Sequence, residues 1–151
     1  MNKIVISNRR ALKNYDILEI IEAGIELKGS EVKSLRQGNA DISESFARIE
    51  KGEVFLYNTH IANLPQTGAF KVEPNRIRKL LLHRRQIEKL YQSLRQHGYT
   101  LIPLKIYFNQ RGLAKVELAL CRGKKMYDRR HAIKKRELDL KIKRILRQKR
   151  G

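Results

Sequence analysis

Ser45-Phe46-Ala47-Arg48-Ile49-Glu50-Lys51-Gly52-Glu53-Val54-Phe55-Leu56-Tyr57 is the stretch whose pattern decides the fold. Phe46, Arg48 and Glu50 alternate with Ala47 and Ile49, the period-two signature of a strand with one face toward a core. Lys51-Gly52-Glu53 supplies a tight turn, and Val54 to Ala62 reads as the return strand.

The same hairpin logic recurs downstream. Leu101 to Phe108 is a strand whose Pro103 marks an edge or a bulge. Asn109-Gln110-Arg111-Gly112 turns the chain, and Ala114, Val116, Leu118 and Leu120 then alternate with Lys115 and Glu117. Upstream, Tyr15 to Leu27 is rich in β-branched residues and breaks at Ala23-Gly24, as two strands meeting at a glycine bend or bulge. Glu22 beside that break is either a solvated edge carboxylate or an acceptor for base amino groups or a ribose hydroxyl.

Two segments carry helix punctuation. Gly29 to Gly38 offers Ser30 as N-cap, Glu31 in the first turn and Gly38 as terminator. Val32 and Leu35 face the core there, which leaves Lys33 and Arg36 on a face that is either solvated or turned toward RNA. Asn75 to Gln96 reads as the main helix. Leu80, Ile87, Tyr91 and Leu94 recur at helical spacing, Leu81 and Leu90 widen the stripe, and His97-Gly98 ends it. His83 reads as an exposed or capping imidazole. Asn63 to Pro74, with Pro65 and Gly68, is a loop, and residues 1–13, with the basic Asn8-Arg9-Arg10, read as a frayed, solvated terminus.

Hairpins without βαβ alternation predict a mainly β body with helices: an antiparallel barrel or strongly curled sheet of about six strands, flanked by helices. Closure removes exposed edges, which matters in a small β-protein. The body spans 1–120. From Cys121 to Gly151 the character changes to 14 Lys and Arg against 3 Asp and Glu, in a chain whose net charge is +19. Leu138, Ile142, Ile145 and Leu146 make only a narrow apolar stripe in this tail, which opens at a glycine hinge, Gly123. The tail is expected to be disordered alone and helical once phosphates neutralise it. A surface helix packed on the body, or one lying on a membrane, are the alternatives; the second lacks Trp and Phe on its apolar side.

A chain of 151 residues holds one sizeable domain, and +19 makes its surface attractive to polyanions, nucleic acid first. The single cysteine, Cys121, forms no internal disulfide and suits a reducing, cytoplasmic setting. His60, His83, His97 and His131 have no metal-ligand spacing, so no metal or cofactor is expected. There is no phosphate-binding glycine loop and no nucleophile elbow, and the acids are scattered singly; the chain does not read as an enzyme.

Several stretches, in order, carry a resemblance: Asn8-Arg9-Arg10-Ala11, Glu22-Ala23-Gly24-Ile25, Gly29-Ser30-Glu31-Val32-Lys33-Ser34-Leu35-Arg36, Asp41-Ile42-Ser43-Glu44-Ser45-Phe46, Arg78-Lys79-Leu80-Leu81-Leu82-His83, Gly112-Leu113-Ala114-Lys115-Val116 and Gly123-Lys124-Lys125-Met126-Tyr127-Asp128-Arg129-Arg130. Over nearly its whole length the chain resembles the SsrA-binding proteins, the small protein B family. That resemblance implies a closed, six-stranded, antiparallel oligonucleotide-binding-like barrel with flanking helices and a basic C-terminal tail. It implies a bacterial adaptor that binds the tRNA-like part of transfer-messenger RNA and brings it to stalled ribosomes for rescue and peptide tagging. Expected partners are that RNA and the small-subunit rRNA of the ribosome. Elongation factor Tu with GTP and alanyl-tRNA synthetase would be met indirectly through the RNA. The chain is expected to be monomeric and to have no membrane partner. The expected RNA-binding residues are Asn8, Arg9, Glu22, Lys33, Arg36, Leu81, His83, Lys124 and Lys125, of which the resemblance itself implies Asn8, Glu22, Leu81, Lys124 and Lys125. Tyr127, Asp128, Arg129, Arg130, Ile145 and Leu146 are implied to serve the tail in the empty messenger channel and decoding site. The chain departs from the family pattern at Lys13 and Tyr127, where some members carry His, and at Phe70 to Pro74, which lacks an Asn-His pair.

Overall fold

The hairpin at the centre of the sequence forms as its pattern requires. In the computed structural model, which describes residues 3–64, 71–95, 98–124, 140 and 142–144, β4 (Phe46–Glu50) pairs antiparallel with β5 (Glu53–Tyr57). Lys51 and Gly52 both have positive φ, 51° and 76°, the left-handed pair that a two-residue turn needs to match strand twist. Ala47, Val54 and Leu56 turn inward and are buried. The return strand stops at Tyr57, short of the expected Ala62. Asn58 takes φ 58° and redirects the chain, and His60–Ile61, numbered β6, pairs instead with β3 (Ala40–Asp41) in a separate two-stranded ladder.

The other main-sheet strands are β1 (Lys3–Ser7), β2 (Tyr15–Ile25), β7 (Arg78–Leu81), β8 (Tyr99–Phe108) and β9 (Ala114–Gly123). Six strands close a hydrogen-bonded ring in the order β8, β4, β5, β7, β2, β9 and back to β8, every pairing antiparallel. This is the closed, six-stranded arrangement expected, with β1 added outside the ring on β8. Register on β8 slips between Pro103 and Lys105, so the proline sits at a bulge, as its chemistry demands. The ring is filled by side chains from every part of the sheet and from α2 (Gly29–Arg36): Leu35, Val54, Leu56, Leu101, Ile106, Val116 and Leu118 retain no exposed surface. Burying each contributes roughly 1.5–3 kcal/mol before entropy is charged against it. A smaller cluster of Ile102, Leu104, Ala119 and Cys121 packs with Ala11 of α1 (Arg9–Asn14). Burial there pushes the Cys121 thiol up to about 12, the inert structural cysteine its position suggested.

Several expectations are corrected. Residues 75–96 do not form one helix: 78–81 are strand β7, and only Arg84–Leu94 is helix, numbered α3. Arg78 and Leu80 share the inward face of β7, 0% and 1% exposed, while Leu81 points out. His83 caps α3, its N–H donating to Gln86 Oε1 at 3.1 Å. Ile87, Leu90 and Leu94 pack against the core as the stripe predicts, but Tyr91 is exposed. The Tyr15 to Leu27 segment is not two strands. β2 runs unbroken through Gly24, and its irregularity lies at Leu18. The N-terminal segment is not frayed, since β1 pairs with β8 and Asn8 caps α1. α2 is capped two residues earlier than Ser30, at Lys28, whose N–H donates to Glu31 Oε1 at 2.9 Å. Gly123 is no hinge: it is the last residue of β9, paired with Tyr15.

Candidate nucleic-acid interface

β2 is the strand on which the interface is built. It pairs with β9 along its length and with β7 at Gly24–Leu81 and Ile25–Leu80. Alternation then sends Ala23 and Ile25 into the core and Ile20 and Glu22 outward. Leu81 of β7 lies directly beside Gly24: a Cβ at that glycine would stand 3.2 Å from Leu81 Cβ. A side chain there would require Leu81 to give way by a few tenths of an ångström, so glycine suits this spacing. The turn from β7 into α3 adds His83 and Gln86, and β9 adds Lys115. Glu22, Ile20, Leu81, His83, Gln86 and Lys115 thus line one open groove.

The groove has an apolar floor with polar groups around it. Ile20 and Leu81 are 53% and 46% exposed and line the same groove, an apolar patch between its polar groups. Glu22 accepts a hydrogen bond from the buried Tyr107 hydroxyl. Lys115 supplies a cation. Such a surface can hold a ribose or base against Ile20 and Leu81. It can accept from an amino or hydroxyl group at Glu22 and meet a phosphate with Lys115. The resemblance pointed to Glu22 and Leu81, His83 was an expected site residue, and the fold brings these three together from β2, β7 and the α3 cap. Sequence reading missed Ile20, Tyr107, Gln86 and Lys115. For Ile20 the signal was present: it stands two residues from Glu22 in a strand and so must share its face.

The remaining expected residues lie elsewhere. Asn8 is 4% exposed and fully engaged: its amide donates to Ile42 O and Pro103 O, both at 3.1 Å, and its Oδ1 accepts from Ala11 N–H at 3.2 Å. Its influence on any ligand passes through the placement of α1, where Arg9 is exposed at the first position. Lys124 reaches α1 from the other side, donating to Leu12 O at 3.4 Å. Lys33 and Arg36 are exposed on α2, as expected. Arg36 is not free, however: its guanidinium lies 4.4 Å over the Phe108 ring and donates to Gly112 O at 3.4 Å. Lys125, Tyr127, Asp128, Arg129, Arg130, Ile145 and Leu146 lie outside the described residues. Within the tail, residues 140 and 142–144 are helical, with Leu140 and Ile142 exposed.

An ion cluster ties α2 to β7. Glu31, 3% exposed, accepts from Arg78 Nε at 2.7 Å and from Arg76 Nε at 3.1 Å. Arg78 also donates to Thr59 O at 2.7 Å and Pro74 O at 3.0 Å. Burial by itself would raise the Glu31 carboxyl; the hydrogen bonds from Arg76, Lys28 N–H and Arg78 outweigh it and hold the group below its ordinary value. Among the described residues no three His, Cys, Asp or Glu converge as metal ligands, and no helix is long and apolar enough to cross a membrane.

The family model described as SmpB protein matches residues 5–148 of this chain. The chain belongs to the SmpB family. Its relatives include the SsrA-binding protein of Caldicellulosiruptor bescii, 53% identical over 146 residues, covering 97% of this chain and 92% of that one. The SsrA-binding protein of Moorella thermoacetica is also 53% identical, over 147 residues, covering 97% and 95%. Among solved structures, this SmpB-family chain matches a chain from one described as "tmRNA-SmpB: a journey to the center of the bacterial ribosome", with a TM-score of 0.67 and 55% identity, covering 79% of this chain and 83% of that one.

Proposed function

We propose that this chain is an RNA-binding adaptor. It takes the tRNA-like part of transfer-messenger RNA in the groove of Glu22, Leu81 and His83 and carries it to stalled ribosomes for rescue and peptide tagging. The observation that carries this reading is the convergence of those residues, far apart in sequence, on one exposed face with an apolar floor. The relatives named for SsrA binding supply the RNA partner. Arg9, Lys33, Arg36, Lys124 and Lys125 would add phosphate contacts away from this groove, with the salt dependence that counterion release imposes.

The basic segment that follows β9, residues 125–151, acts as a separate cationic arm. A stalled ribosome with a vacant decoding site leaves a channel walled by RNA and empty of messenger. A flexible polycation enters there, and messenger would exclude it sterically. Ordering the arm costs chain entropy that its new phosphate contacts offset. Tyr127, Asp128, Arg129, Arg130, Ile145 and Leu146 serve this step. The chain performs no chemistry itself. It works as a cytoplasmic monomer, and elongation factor Tu with GTP and alanyl-tRNA synthetase act on the RNA it holds.

Glu22→Ala tests the groove. The change removes a negative charge from a protein that binds a polyanion, so a charge-only account expects tighter binding. Loss of a charged hydrogen-bond acceptor should instead weaken binding roughly tenfold. Filter binding with labelled transfer-messenger RNA at fixed salt decides between them, and tighter binding would remove Glu22 from the interface.

A further inference from the structure

Glu22 faces an electrostatic problem on its own sheet. Its cross-strand partner on β9 is Glu117, so two carboxylates stand at paired positions. Like charges placed so repel and would swing both side chains away from any fixed geometry. The next strand, β8, supplies one partner for each carboxylate from positions two residues apart. Lys105 Nζ lies 3.1 Å from Glu117 Oε2, and the Tyr107 hydroxyl donates to Glu22 Oε2. The ammonium neutralises the carboxylate that does not line the groove. The phenol leaves the other one charged while holding it in place.

We propose that Tyr107 is a positioning residue for RNA recognition: its hydroxyl locks the Glu22 carboxylate so that Oε1 faces the groove as a fixed acceptor for an amino or hydroxyl group of the RNA. This rests on the reading of the groove as the RNA surface. Three observations carry it. Tyr107 is 5% exposed, so its ring is held by packing and cannot follow a wandering carboxylate. The bond from Tyr107 goes to Glu22 Oε2, and among the described residues none donates to Oε1. Glu22 itself is exposed, beside the exposed Ile20 and Leu81. Burial, and then the bond to Glu22, raise the Tyr107 phenol above its ordinary value, which favours the protonated, donating form. Freed from Tyr107, Glu22 would lose rotamer order that must be restored on binding.

The test is a double-mutant cycle of full-length Tyr107→Phe, Glu22→Gln and the double variant. Affinity for labelled transfer-messenger RNA is measured across a salt series, with thermal unfolding of each protein. Tyr107→Phe keeps the ring and should weaken binding roughly tenfold. The slope of affinity against salt should stay unchanged, because no phosphate contact is lost. In the Glu22→Gln background the same change should cost much less, since the charged acceptor it positions is already gone. Normal affinity for Tyr107→Phe beside weakened Glu22→Gln would overturn the proposal while leaving the groove intact. Equal, additive losses would also overturn it, because a general structural effect acts in both backgrounds. Wild-type affinity for both single variants would overturn the groove reading itself.

Discussion

Arg78→Met is the change whose cost the structure sets most directly. Methionine matches the length of the arginine stem and fills the same inward slot on β7. It removes the donors to Glu31 Oε2, Thr59 O and Pro74 O in a position with no exposed surface. Glu31 keeps Arg76 and the Lys28 N–H but loses its fully buried cation. Breaking a buried pair by removing one partner costs about 3–5 kcal/mol, and orphaned carbonyls fall within that range if water reaches them. With total domain stability of about 5–15 kcal/mol, the loss takes a large share. Urea unfolding at pH 7 measures it. A cost below about 1 kcal/mol would refute the assignment of the cluster as the tie between α2 and β7. So would an undiminished cost in a Glu31→Gln background. Acid gives a second handle. The Glu31 carboxyl is held below its ordinary value of 4.5, so its contribution is fully present above that pH and is lost as pH falls through the lower folded value. Wild-type stability should therefore drop more steeply on acidification than that of Glu31→Gln.

Gly24→Ala should separate binding from stability. The new Cβ would stand 3.2 Å from Leu81 Cβ, so β7 must shift by a few tenths of an ångström at Leu81, while losing a glycine offsets that strain by about 0.4–1 kcal/mol through the unfolded chain. Unfolding should hardly change while affinity for transfer-messenger RNA falls; a stability loss as large as the binding loss would contradict this. Asn8→Ala should do the reverse. It deletes the α1 cap and two buried donors, at about 2–3 kcal/mol by thermal unfolding, with RNA affinity falling less than in Glu22→Ala.

The hairpins were legible because their signals are local. Gly52 supplies a positive φ, and alternation at Ala47, Val54 and Leu56 points one face inward. The helix expected over 75–96 failed because Arg78 broke the usual rule that arginine is exposed. Its partner, Glu31, lies 47 residues earlier, and nothing near Arg78 signals burial. Without it, Leu80, Ile87 and Leu94 fit a helical period. Gly24 was read as a bend because glycine punctuates chains; its reason is Leu81, 57 residues later and across a strand boundary. The groove was legible only in part. Glu22 was legible as a candidate acceptor and, with Leu81, came from resemblance, whereas Tyr107 and Lys115 join the groove through the pairing of β8, β9 and β2, which local patterns cannot specify. The stretch 125–139, which holds most of the expected tail residues, lies outside the described residues.

The division between an RNA-holding body and a ribosome-probing arm is tested most directly by truncating the chain after Met126 and measuring two quantities on the same protein. Affinity for transfer-messenger RNA should be largely retained, because the groove on β2, β7 and β9 is untouched, while peptide tagging on stalled ribosomes should be abolished. Parallel loss of both, or tagging that survives the truncation, would contradict the account.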